Sequence, residues 1–173
     1  MMKKGGTGGG RTITGLRFES RVTLEKVIAA IPNYKILNDA VYFKDEKVAE
    51  LYPKNKLYKN LLEPQNIDYS KILSKRLLPD ETILILKDKT LFIIEIKFQE
   101  VAGSVDEKLQ TCDFKNKQYK KLLKPLDISV KYTYVLNDWF RKKEYKDVLD
   151  YVKSVGCYYF FDELPMEFLG LPA

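Results

Sequence analysis

Two strongly apolar segments with a short polar connection between them form the clearest pattern in the chain. Ile83–Leu86 and Leu91–Phe98 are apolar at nearly every position, and Lys87–Thr90 between them is polar. Apolar runs of this length predict strands, and the short polar connection predicts an antiparallel hairpin. Because each strand is apolar on both faces, we expect the hairpin to lie in the middle of a covered sheet.

Helices are predicted on either side of this hairpin. Apolar residues recur at mostly helical spacing from Leu16 to Ile31, which predicts a first helix. A helical crossover is expected to connect the hairpin to a later strand at Ile128–Leu136. Tyr145–Val155 predicts a last helix on the opposite face of the sheet, ended by Gly156.

Shorter β-like segments complete the predicted sheet. Tyr34–Leu37 and Ala40–Phe43 are separated by a turn-forming pair, and Cys157–Phe161 predicts a final strand. Leu57–Leu78 has no clear periodicity and is left unassigned. The predicted fold is therefore α/β, with a mixed central sheet of about five strands flanked by helices.

Length and N-terminal composition indicate the domain organisation. A chain of 173 residues has room for one domain, and such a chain buries roughly 70% of its unfolded surface. Residues 1–12 are rich in glycine, which predicts a flexible tail ahead of a single domain at 13–173. Within the tail, Gly5–Thr12 has the spacing of a phosphate-binding loop, with Arg11 replacing lysine. Only four residues precede it, so no buried strand leads into it and nucleotide hydrolysis is not expected.

The residue types present exclude several kinds of chemistry. The chain contains no histidine, which excludes Ser-His-Asp and Cys-His catalysis and every histidine-based nuclease. Cys112 and Cys157 lie far apart with no CxxC, so structural zinc is not expected. The formal charge of +6 moderately favours polyanionic partners. No long apolar run or signal-peptide pattern is present, so we expect a cytoplasmic protein without a membrane segment.

Three polar residues at the ends of the hairpin stand out from their apolar surroundings. Asp80 directly precedes the first strand, and Glu95 and Lys97 lie two apart near the end of the second, so these two project to the same face. An antiparallel pair brings these places side by side. Two carboxylates there can share a hard cation such as Mg²⁺, while a lysine orients or activates water and offsets charge in the transition state.

These residues resemble the PD-(D/E)xK nuclease superfamily, and within it the type II restriction endonucleases. The match consists of Pro79-Asp80, fourteen intervening residues, and then Glu95-Ile96-Lys97. The resemblance implies metal binding at Asp80, Glu95 and Ile96, and a catalytic role for Asp80, Glu95 and Lys97. It also implies that Glu19, placed on the predicted first helix, completes the catalytic site.

The same resemblance implies partners and further contacts. It implies a restriction-endonuclease-like core, Mg²⁺ as cofactor, double-stranded DNA as substrate, a homodimer, and a cognate DNA methyltransferase in the host. Family members follow the third strand with a helix that faces DNA phosphates. The corresponding candidates here are Lys108, Gln110, Lys115, Lys117, Gln118 and Lys121.

The lysine content of that segment supports a phosphate-binding role independently of the resemblance. Between Lys108 and Lys124 six lysines are present against Asp113 alone. Lysines contribute salt-sensitive affinity for the DNA backbone and do not read sequence. For any single lysine, a solvated helical face is the simpler interpretation.

Three alternatives stay open at this point. A Holliday-junction resolvase or repair nuclease of the same superfamily would share the catalytic residues and differ in the DNA shape it prefers. A non-catalytic basic DNA-binding domain would have no need of an acidic pocket facing phosphates. A protein-interaction domain with a basic surface would not bind DNA, or would bind it with an affinity that divalent metal does not change.

Overall fold

The computed structural model describes residues 14–173, so the predicted tail at 1–12 lies outside the described residues. Nine strands are formed in this part of the chain. They are β1 (Gly15–Arg17), β2 (Tyr34–Leu37), β3 (Ala40–Phe43), β4 (Glu46–Leu51), β5 (Glu81–Ile85), β6 (Thr90–Lys97), β7 (Ser129–Leu136), β8 (Tyr158–Phe161) and β9 (Glu163–Pro165).

Helices connect and cover these strands. The α-helices are α1 (Leu24–Ala29), α2 (Val105–Leu109), α3 (Cys112–Leu123), α4 (Lys146–Ser154) and α5 (Met166–Leu169). The segment that the sequence left unassigned contains a π-helical stretch at Leu57–Leu62 and short 3₁₀ turns at Glu63–Gln65 and Tyr69–Lys71. Among residues 14–173, no helix is long and apolar enough to cross a membrane.

Seven of the strands form one mixed sheet in the order β2-β3-β4-β5-β6-β7-β8. Neighbours from β2 to β6 are antiparallel, whereas β6, β7 and β8 run parallel. The predicted α/β class with a mixed sheet is confirmed, but the expected number of about five strands is wrong. The sheet has seven because β4 extends the predicted β2–β3 hairpin into a meander that reaches β5.

The two faces of the sheet are covered by different helices. On the front face, α3 and α4 contribute Tyr119, Leu122 and Val152 to a buried cluster with Leu91 and Ile93 of β6. On the back face, β1, α1, β9 and α5 pack residues against the alternate positions of β6. The main contributors to the back face are Leu16, Leu24, Ile28, Leu164, Met166, Phe92 and Ile94.

The last long helix lies on the front face, so its predicted position opposite the crossover helix is wrong. Both α3 and α4 contribute to the same cluster, including Leu123 and Leu149. β6, β7 and β8 follow one another in the same direction across the sheet, and parallel crossovers are almost always right-handed. Two successive crossovers with the same hand and direction place their helices on the same side.

The predicted first helix at Leu16–Ile31 is also wrong over its first half. Leu16 and Phe18 are buried while Arg17 and Glu19 are exposed, which is the alternation of a strand. β1 pairs antiparallel with β9 near the end of the chain. The α-helix begins only at Leu24, after Thr23, whose side-chain hydroxyl accepts a hydrogen bond from the Lys26 amide and caps the helix.

Candidate active site

One edge of the sheet brings the predicted catalytic residues together. Glu81 at the start of β5 pairs with Ile94 of β6, so Asp80 and Glu95, the next residues on the two antiparallel strands, meet at this edge. Residue alternation along β6 directs Glu95 and Lys97 to the front face, with Leu91 and Ile93. The parallel strands β6, β7 and β8 all end at this edge, which is where open α/β sheets most often bind ligands.

Lys97 lies between the two carboxylates. Its ammonium nitrogen is 2.9 Å from Glu95 Oε2 and 3.2 Å from Asp80 Oδ2. Burial opposes the charged form of Lys97, but the carboxylates of Glu95 and Asp80 outweigh it, so the pKa of Lys97 is raised. The ammonium therefore stays charged at neutral pH and shows that both carboxylates can contact one cation.

Glu95 is the most enclosed member of the group, because only 5% of its side chain is exposed. A second lysine, Lys115 on α3, places its ammonium nitrogen 3.8 Å from Glu95 Oε2. Burying an unpaired carboxylate would cost on the order of several kcal/mol. The Glu95 carboxylate therefore requires cationic neighbours. Two lysines from different elements, β6 and α3, provide them.

Three tyrosines form the front-face wall beside Glu95. Tyr119 of α3 and Tyr132 and Tyr134 of β7 are almost completely buried, and Glu95 lies next to Tyr134 in the register of β6 and β7. Burial raises the pKa of all three hydroxyls, and the charge of Glu95 contributes to the effect. The tyrosines thus remain protonated. Tyr134 donates its hydroxyl proton to the carbonyl oxygen of Leu109 at 3.2 Å, which anchors the end of α2.

An amide pair fixes the chain just after the site. The main-chain amide of Gln99 donates to Asn137 Oδ1 at 3.2 Å, and Asn137 Nδ2 donates to the main-chain carbonyl of Gln99 at 2.8 Å. These bonds join the segments that follow β6 and β7. They hold the end of β6, and with it Lys97, in a defined position.

On the other side of Asp80 lies a cavity of about 340 Å³ that the sequence did not predict. Glu25 at the start of α1, Glu81 and Lys54 line it together with Asp80. Burial raises the pKa of Glu81, and the neighbouring Asp80 carboxylate adds to this effect. The main-chain amide of Lys54 donates to the carbonyl of Pro79 at 3.0 Å, so this loop supports the residue directly before Asp80.

The remaining predicted catalytic and metal-binding residues, Glu19 and Ile96, contribute no side-chain contact to the group formed by Asp80, Glu95 and Lys97. Glu19 is exposed and lies between β1 and α1, so it is not on a helix as the sequence suggested. Ile96 carries no side-chain ligand atom, and its side chain packs on the back face, so only its main-chain carbonyl oxygen is a possible donor. Glu25, at the start of α1, is the acidic residue of the first helix that lines a cavity with Asp80.

The predicted DNA-contacting residues fall into three pairs on α2 and α3. Lys115 reaches the site, and Gln118 is one turn further along the same side of α3. Lys117 and Lys121 follow Lys115 by two and six positions, about 200° and 240° around the helix, and therefore point away from Glu95. Lys117 instead pairs with Asp113 at 2.7 Å. Lys108 and Gln110 are exposed at the end of α2.

The donors at this edge suit a hard divalent cation. Within residues 14–173, no cluster of three or more His, Cys, Asp or Glu side chains is arranged to hold a metal. Asp80 and Glu95 do contact a common ammonium, and Mg²⁺ is commonly held by one or two carboxylates together with waters and substrate phosphates. The two carboxylates therefore fit Mg²⁺.

Comparison of the chain with known protein families, with curated proteins and with solved structures gave no match in any of the three. The residues and geometry of the sheet edge are therefore the basis for assigning a function.

Proposed function

We propose that this chain is a Mg²⁺-dependent DNA endonuclease of the PD-(D/E)xK type, with a restriction-endonuclease-like core. The observation that carries the proposal is the contact of Asp80 and Glu95 with one shared cation, the Lys97 ammonium. This juxtaposition joins the three residues of the sequence motif in space. It lies at the end of the strands, where 44% of the Asp80 side chain is exposed.

A purely structural role explains this network poorly. Relative to well-packed apolar residues, a buried ion pair is often neutral or destabilising by about 1–4 kcal/mol. The surrounding positions of β6, such as Ile93 and Ile94, are apolar and fully buried. A buried Glu95 with two lysines is costly in such a setting, which supports a role in chemistry.

The proposed residues have different roles in phosphodiester hydrolysis. Asp80 and Glu95 would hold the metal, and the Ile96 carbonyl would add a ligand. When bound, Mg²⁺ supplies Lewis-acid polarisation of the phosphate and lowers the pKa of water. Lys97, next to both carboxylates, would orient the attacking water and offset negative charge on the phosphate oxygens.

Hydrolysis adds a water oxygen to phosphorus and breaks the bond to one ester oxygen, which leaves with a proton. Lys115, next to the site, and Gln118, one turn away on α3, would contact the phosphates that flank the reacting one. Lys108 and Gln110 at the end of α2 extend this surface. Such contacts give affinity that falls with salt and does not depend on base sequence.

We propose site-specific cleavage of both strands of duplex DNA by a two-fold homodimer, each subunit cutting one strand. A cognate methyltransferase would then protect the host DNA. The purified protein is expected to convert unmethylated plasmid and phage DNA into discrete fragments in Mg²⁺. Conversion of a four-way junction, with linear DNA left intact, would instead assign a structure-specific nuclease. Failure to cut any of these substrates would contradict a nuclease function.

A further inference from the structure

The two lysines at the site are not equivalent. Lys97 lies on β6, touches both carboxylates and is fixed by the strand. Lys115 comes from α3, contacts Glu95 alone at 3.8 Å, and keeps 30% of its side chain exposed. Its long, flexible side chain and partial exposure allow its ammonium to reach outward from the helix toward solvent.

Charge balance makes the second lysine important for metal binding. Without metal, the site pairs two carboxylates, Asp80 and Glu95, with two ammonium groups, Lys97 and Lys115. A divalent cation added to this balanced group would meet repulsion from both ammonium groups. Like charges about 4 Å apart repel each other strongly near a protein surface, where the dielectric constant is lower than in water. Moving the Lys115 ammonium away from Glu95 would reduce this repulsion.

A phosphate of the DNA backbone is an anion that can draw the Lys115 ammonium away from Glu95. A backbone phosphate attracts a lysine ammonium, and the Lys115 side of α3 also carries Gln118. A phosphate at this position would draw Lys115 off Glu95 and take one of the two ammonium charges away from the carboxylates. Lys97 would stay bound to the site by its short contacts with both carboxylates.

We propose that Lys115 is a substrate-responsive counter-ion of Glu95, whose charge opposes metal binding in the free protein and is withdrawn when a DNA phosphate binds. The proposal rests on the nuclease function given above. It adds that the binding of the metal and the binding of DNA are coupled. Because such coupling is reciprocal, the metal strengthens DNA binding by the same factor by which DNA strengthens metal binding.

The test is a calorimetric titration of Ca²⁺ into the full chain, with and without a short DNA duplex. Ca²⁺ is the probe because it takes the same carboxylate and carbonyl oxygen ligands as Mg²⁺. Without DNA, Lys115→Met is expected to bind Ca²⁺ roughly tenfold more tightly than the wild type, a change of about 1.4 kcal/mol. The duplex is expected to tighten Ca²⁺ binding by the wild type more than by Lys115→Met, because its phosphate adds an oxygen ligand in both proteins but withdraws an ammonium only in the wild type.

Two further variants separate a local effect from a general loss of charge. Lys121→Met makes the same chemical change on an exposed, outward position of α3, and is expected to bind Ca²⁺ like the wild type. Lys115→Arg keeps the charge and is also expected to bind Ca²⁺ as weakly as the wild type. Circular dichroism spectra of all three variants establish that the fold is retained.

The outcomes distinguish this proposal from the proposed function. If Ca²⁺ binding depends on Asp80 but Lys115→Met and Lys121→Met have the same affinity, the counter-ion role of Lys115 is overturned and the metal site stands. If wild type and Asp80→Asn show no difference in Ca²⁺ binding, with or without DNA, the metal site itself is wrong and both proposals fall.

Discussion

Replacing Asp80 by asparagine is expected to reduce the rate of DNA cleavage about a hundredfold to a thousandfold, the scale of losing one preorganised charge-stabilising group in other enzymes. The substitution keeps the size of the side chain and removes one of the two carboxylates that contact the shared cation. Because Asp80 is partly exposed at the end of the sheet, its loss should change the free energy of unfolding little. The measurement is the single-turnover rate of plasmid cleavage at saturating Mg²⁺.

Asp150→Asn is the matched control for this substitution. Asp150 also pairs with a lysine, Lys146 at 2.6 Å, but on the exposed surface of α4. The control variant is expected to cleave at the wild-type rate. Equal rates for Asp80→Asn and the wild type would remove Asp80 from the mechanism.

Replacing Lys97 by methionine is expected to lower the free energy of unfolding by about 3 kcal/mol in EDTA, as breaking a buried ion pair does. Glu95 would keep only the longer contact with Lys115, and the nearby Asp80 would repel it. For a chain of this size the loss corresponds to a decrease of roughly 6–12 °C in melting temperature. Cleavage is also expected to be lost while DNA binding is retained.

Mg²⁺ is expected to restore much of the stability lost in Lys97→Met. A cation shared by the carboxylates would take the place of the ammonium, and ligand at a hundred times its dissociation constant stabilises the folded state by about 2.7 kcal/mol. The wild type should gain less, because there the Lys97 ammonium already offsets the charge of both carboxylates. Thermal unfolding followed by circular dichroism, with and without Mg²⁺, measures both effects.

The double variant Asp80→Asn, Lys97→Met is the control for this rescue. Without the Asp80 carboxylate, Mg²⁺ should add little to its stability. A rescue of equal size in the single and double variants would show that Mg²⁺ acts elsewhere. No rescue in Lys97→Met would argue that the carboxylates do not form a cation site.

The central hairpin and the position of the motif could be predicted from sequence because both depend on local pattern. Apolar runs predict β5 and β6, and Glu95 and Lys97 are recognisable as costly residues within a buried strand. Their two-residue spacing on a strand fixes their common face. Asp80 follows from the antiparallel connection, which the structure forms as expected.

The N-terminal element could not be predicted correctly because its partner is distant in sequence. The alternation of Leu16 and Phe18 with exposed neighbours is short, and it competes with the helical spacing of Leu24 and Ile28 that follows. Pairing with Glu163–Pro165 decides in favour of a strand. β4 was missed for a related reason, since Glu46–Leu51 is polar at its start and becomes a strand through pairing with β3 and β5.

The contact of Lys115 with Glu95 depends on tertiary geometry that the sequence does not reveal. Six lysines occur between Lys108 and Lys124, and nothing in their spacing identifies the one that faces β6. The rotation of α3 is determined by the packing of Cys112, Tyr119 and other buried residues against the sheet. The same holds for the cavity that Glu25 shares with Asp80, because it requires α1 and β5 to meet.

The most direct test of the proposed function is cleavage of supercoiled plasmid by purified wild-type protein in Mg²⁺ and in EDTA, beside Glu95→Gln. Glu95→Gln removes the buried carboxylate at almost unchanged volume. The geometry predicts nicked and linear products only for the wild type in Mg²⁺. Equal cleavage in EDTA, or by Glu95→Gln, would contradict a metal-dependent nuclease site at Asp80, Glu95 and Lys97.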